Sequence, residues 1–156
     1  MKAAGAHRAA AGSARAVAAG TCVVLGAVAL AAGCGGIRAP DLFVVTRTPA
    51  APGGAVAPLT LLVNEEGGVR CNGGATLKLS DAELVKARAI QEEIHDPATH
   101  HLSLPARPGS VLSYSLRDES GTVRFSDNSA AQPPVLRELQ LFVLEVAQGV
   151  CHLPPS

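Results

Sequence analysis

Three histidines stand close together at His95, His100 and His101, with Asp96 among them. Imidazole and carboxylate are ligands that zinc accepts, and a bound zinc would bring Lewis-acid chemistry to the segment. The H-x4-HH spacing lacks the one-turn offset of a helical histidine pair, Pro97 interrupts the run, and no strong fourth ligand is near. A solvated loop is therefore expected here, with no metal. Paired carboxylates occur at Glu65-Glu66 and Asp118-Glu119. Two carboxyl groups can share the acid and base roles of glycoside hydrolysis, but both pairs lie beside glycine in turn-like segments, where turn geometry and solubility already select them. No serine falls in G-x-S-x-G, and neither a P-loop nor a dinucleotide fingerprint is present. The expectation is a chain with no catalytic residue and no cofactor.

Cysteine chemistry is better placed. Residues 1–15 hold Lys2, Arg8 and Arg15 without an acid, and residues 16–32 (AVAAGTCVVLGAVALAA) hold no charge. A basic start followed by an uncharged apolar run is the pattern of an export signal. The run ends in Leu30-Ala31-Ala32-Gly33-Cys34, with small side chains before a cysteine whose thiolate can take a diacylglycerol group. The segment resembles the bacterial lipobox, with the leucine one place earlier than usual. The resemblance implies a signal peptide over 1–33, a lipidated Cys34 and a short tether over 34–40. Such a lipid holds its domain firmly, since each buried methylene is worth about 0.8 kcal/mol. The tether spans roughly 20 Å at about 3.3 Å per extended residue, so the domain stays near the bilayer. The expected location is extracytoplasmic, on the outer face of the cytoplasmic membrane.

Cys22 leaves with the leader and Cys34 is consumed by lipid, so Cys71 and Cys151 remain. In an oxidising compartment they are expected to form a disulfide. Closing a loop of about 80 residues stabilises a fold by roughly 4 kcal/mol on chain-entropy grounds.

The formal net charge of zero includes the three leader cations; from Cys34 onward ten Lys and Arg face thirteen Asp and Glu. That mild acidity argues against a nucleic-acid partner, whose affinity rests on neutralised phosphates. Tryptophan is absent and only three phenylalanines and one tyrosine occur, so the core must be aliphatic and no aromatic platform for stacking bases is expected.

The elements that position these residues follow from periodicity. Residues 41–47 and 59–63 read as strands around a Pro- and Gly-rich loop, and Val69 to Asn72 returns as a hairpin after Asn64-Glu65-Glu66-Gly67-Gly68, with Cys71 on the core side. A short extended stretch at 75–79 precedes Ser80-Asp81-Ala82-Glu83, a capping box that starts a helix, with Leu79 and Leu84 at staple spacing. Leu84, Ala87, Gln91 and Ile94 mark its inner stripe, and Asp96-Pro97 its expected end. Residues 97–110 read as a loop, 111–117 and 122–127 as a hairpin, and Pro133-Pro134 opens a helix to about Val150 with Leu136, Leu139, Val143 and Val146 facing inward. Leu141 and Leu144 fall on the opposite side of that helix. Residues 41–156 are thus expected to form one α+β domain, an antiparallel sheet of four to five strands with two helices on one face.

Two families share parts of this pattern. Asp41-Leu42-Phe43-Val44-Val45, Val69-Arg70-Cys71-Asn72-Gly73-Gly74 and Val123-Arg124-Phe125-Ser126-Asp127 resemble a group of actinobacterial lipoproteins without an assigned activity. The element order, with Val44-Val45-Thr46-Arg47 opening, a helix after a Leu-Ser cap, a hairpin near Tyr114 and a last helix entered through prolines with Leu136 and Leu139, is similar to emfourin-type inhibitors of thermolysin-like metalloproteases. The first resemblance carries no activity; the missing catalytic constellation, with the lipid anchor, leads to the expectation of a non-enzymatic membrane-anchored binding module with a partner in the envelope, and the second resemblance implies the alternative, an inhibitor of a secreted metalloprotease.

Overall fold

The computed structural model describes residues 41–51, 53–54 and 56–154. The expected signal peptide at 1–33, Cys34 and the tether up to residue 40 lie outside the described residues.

Strand β1 (Asp41–Pro49) pairs with β2 (Leu59–Asn64), β2 with β3 (Gly68–Cys71), and β3 with β4 (Thr76–Lys78). Helix α1 (Asp81–Thr99) follows, then the hairpin of β5 (Leu112–Arg117) and β6 (Thr122–Ser126), then α2 (Pro134–Gly149). Because β5 returns to the free edge of β1, the sheet order is β4-β3-β2-β1-β5-β6, antiparallel throughout. The fold is α+β. Its sheet has six strands rather than four to five. The additional strand is β4, where the stretch expected to be extended at 75–79 is drawn into the sheet as three exposed edge residues, with Lys78 opposite Gly68.

Register and alternation sort the strand residues into two faces. Val45 lies between Leu61 and Leu116, Phe43 opposite Val63, and Leu116 opposite Val123, all buried. Helices α1 and α2 cover this face together. Phe142 of α2 meets Phe43 edge-on at 6.1 Å, and Ala87, Ile90, Ile94 and Ala98 of α1 join the same core. The inward stripe of α2 is as its period requires, with Leu136, Leu139, Val143 and Val146 buried. Cys71, opposite Leu61 on the covered face, is joined to Cys151 just beyond α2, with Cα atoms 6.1 Å apart.

The start of α1 is held by the capping box: the Ser80 amide donates to Glu83 Oε2 at 2.7 Å, and the Glu83 amide donates to Ser80 Oγ at 3.3 Å. The end differs from the expected stop at Asp96-Pro97. The helix runs through Pro97 to Thr99, because a proline in the last turn forfeits one backbone bond while Ala98 gains a fully buried position. Beyond it the chain is the expected loop, which touches the sheet at one point. Residues 102–104 run parallel beside β6, with the Leu104 amide donating to the Arg124 carbonyl and the Arg124 amide to that of Leu102, both at 2.9 Å.

Candidate functional site

The histidines are brought to different partners rather than to one another. His95 Nδ1 lies 2.6 Å from Ser120 Oγ in the β5–β6 turn, and His100 Nδ1 lies 2.9 Å from the Asp96 carbonyl oxygen. His101 takes φ +50°, turning the chain out of α1. Among the described residues no group of three or more His, Cys, Asp or Glu is gathered as a metal would require. The carboxylate pairs close turns. Asp118 Oδ1 accepts the amides of Ser120 and Gly121 at 2.8 and 2.9 Å, and Glu65 and Glu66 are exposed, with Arg88 donating to the Glu65 carbonyl. The turn is held close to α1. A Cβ on Gly121 would collide with the Ala98 carbonyl oxygen.

Two surfaces gather polar groups that the turns do not account for. The first is a cleft of about 550 Å³ at the start of α2, where Arg107 and Arg137 meet Asp127, Gln132 and Gln140. Its walls are fixed by hydrogen bonds between segments distant in sequence. Asp127 accepts from Ser110 Oγ at 2.7 Å and from the Val111 amide, Gln132 Nε2 donates to the Ser126 carbonyl at 2.8 Å, and Gln140 Nε2 donates to Gln132 Oε1 at 2.9 Å. The Arg107 amide and Asn128 Oδ1 tie the 104–110 loop to the same wall.

The second is the uncovered face of the sheet. Thr60, Thr46, Ser115 and Arg124 lie side by side across four strands, and Thr48, Ser113 and Ser126 form the next row. Thr46 and Thr60 hydroxyls are 3.5 Å apart, as are those of Ser113 and Ser126. The third row runs Thr76, Arg70, Leu62, Val44, Arg117, Thr122. Toward β6 the segment through Leu104 and Ala106 forms one wall of a groove of about 390 Å³ floored by the hydroxyl rows. None of this was singled out from the sequence. The signal was present as polar alternation at Thr46, Thr48, Thr60, Ser113 and Ser115, but only the β1–β5 register makes it a surface.

Burial raises the Tyr114 phenol above its ordinary value; the neighbouring Arg47 charge opposes this and Asp127 adds to it. Tyr114 stacks on Phe125 at 5.1 Å, opposite the buried Arg47 on the covered face. On the outer side of α2, Leu141 and Leu144 are 57% and 39% exposed, as the helical period requires. No helix among the described residues is long and apolar enough to cross a membrane.

The chain matches no known family model, no curated protein and no solved structure.

Proposed function

We propose that this protein is a lipid-anchored, extracytoplasmic binding module that acts on an envelope component by recognition rather than by catalysis. The observation that carries the reading is the layout around Cys34. An uncharged apolar run closes in small residues before that cysteine, and after six intervening residues the chain enters β1 at Asp41. An address of this kind commits the protein to the membrane surface, and its Cys71 to Cys151 pair suits an oxidising compartment. The arginine-lined cleft at the start of α2 supports recognition, since its wall is braced by hydrogen bonds while two guanidinium groups line it. Guanidinium groups favour carboxylate or phosphate partners.

Mass spectrometry of the membrane fraction tests the reading. The expected result is an N-terminal peptide beginning at Cys34 with diacylglycerol attached; a soluble product cleaved elsewhere, or an intact Met1, would contradict it.

A further inference from the structure

Charge is divided between the two layers of this fold. The helices carry seven carboxylates and three cations. The uncovered sheet face carries Arg70, Lys78, Arg117 and Arg124, and Asp41 is the one carboxylate in register with it. Each of these cations is placed there by alternation. Arg124 sits between buried Val123 and Phe125, Arg117 follows buried Leu116, Arg70 follows buried Val69, and Lys78 lies opposite Gly68. Arg117, Arg124 and Lys78 are exposed, and Arg70 is half-buried with its Nε donating to the Gly74 carbonyl. The side of the sheet away from the helices is therefore a basic face set with hydroxyl groups.

We infer that this face lies flat against the anionic phospholipid headgroups of the bilayer that holds Cys34, an inference that rests on the lipid-anchor reading above. Two observations select this occupant. The first is charge complementarity, since both hairpin turns at the Asp41 end of the sheet are acidic: Glu65 and Glu66 in one, Asp118 and Glu119 in the other. Standing on that end would press carboxylates into an anionic surface, whereas lying on the sheet presents four cations and hydroxyl donors to phosphate. The second is the length of chain before β1. Six residues between Cys34 and Asp41 reach roughly 20 Å, enough for the sheet to fold down onto the surface and too little for the domain to leave it. In this pose the helices, with exposed Val85 and Leu141, face away from the bilayer.

The test uses the full lipidated protein in vesicles of phosphatidylcholine alone or with phosphatidylglycerol as a minor component. A fluorophore is placed on Ser115→Cys in the hydroxyl row or, as a control, on Val85→Cys of α1. The label at 115 should be shielded from aqueous acrylamide only in the phosphatidylglycerol vesicles and should become accessible again at high salt, while the label at 85 stays accessible throughout. Because each cation near an anionic surface is worth about a fivefold factor, the pair R117Q and R124Q should reduce the ratio of docked to undocked protein by more than about tenfold, and K86Q on α1 should leave it unchanged. Equal accessibility at 115 and 85, with acylated Cys34 found in the same sample, overturns the docking and leaves the anchor standing. A Cys34 without acyl mass removes the anchor and the docking with it. Shielding of 115 by soluble polygalacturonate but not by phosphatidylglycerol overturns the bilayer as occupant and assigns the face to an anionic glycan.

Discussion

The two faces of one sheet are built from the same strands and follow opposite rules. On the covered face Phe43, Val45, Leu61, Val63 and Leu116 are all but inaccessible to water, and every neighbour across the register is apolar except Arg47 and Tyr114. On the open face the alternate residues of those strands are Val44, Thr46, Leu62 and Ser115, with arginine at the margins. Burial of aliphatic surface explains the first set completely, since each fully buried side chain contributes about 1.5–3 kcal/mol. Nothing in folding requires two ordered rows of hydroxyls or a face that carries four cations and one carboxylate. A polar face needs only to be soluble, and scattered Lys and Glu would satisfy that. On the docking proposed above, the difference separates residues kept for the fold from residues kept for contact.

Substitutions on the covered face should break the fold. Phe142→Ala removes the ring that meets Phe43 and should cost about 4 kcal/mol, read as a lower urea midpoint with unchanged slope. A loss below about 1 kcal/mol would mean that α2 is not seated on the sheet. Changing both Cys71 and Cys151 to Ala should cost roughly 4 kcal/mol, because the bond ties β3 to the end of α2 across 80 residues. Two alkylatable thiols in the native protein, found by intact mass without reductant, would remove the bond altogether. At the edge of the covered layer, Gly121→Ala should cost about 2 kcal/mol, since the added methyl meets the Ala98 carbonyl.

Tyr114 reports on the same face through pH. It is the single tyrosine, so its ionisation can be followed by near-ultraviolet absorbance without interference. Its folded pKa is raised above the unfolded value of about 10, so the folded state favours the neutral phenol and its contribution is intact below that pH. Stability should then fall as the pH rises through the folded value. Coincident titration midpoints in the native and urea-unfolded protein would place Tyr114 outside the covered core.

How much of this was legible depended on distance along the chain. The capping box at Ser80 and Glu83, the α2 stripe and the Cys71 to Cys151 pair rest on local pattern or elimination, and the described residues bear them out in place. The end of α1 was misplaced because a proline rule outweighed the buried position open to Ala98. Strand β4 was legible as an extended stretch at 75–79 but not as a sixth member of the sheet, because only its pairing with β3 makes it one. The hydroxyl face was invisible for a stronger reason. Thr46 and Ser115 are neighbours only because β5 returns to β1 after a helix and a loop, a pairing that no single-window pattern encodes. His95 and His100 illustrate the converse, close together in sequence yet sent by the fold to separate partners, Ser120 and the Asp96 carbonyl.

The division between the faces is tested most directly by the R117Q and R124Q pair, measured twice on the same lipidated protein. The stability read from urea unfolding should change by no more than about 0.5 kcal/mol, because both side chains are exposed and outside the core. The shielding of a label at position 115 by phosphatidylglycerol vesicles should be lost. Retained shielding, or a loss of stability large enough to account for its disappearance, would contradict the assignment of the open face to the membrane.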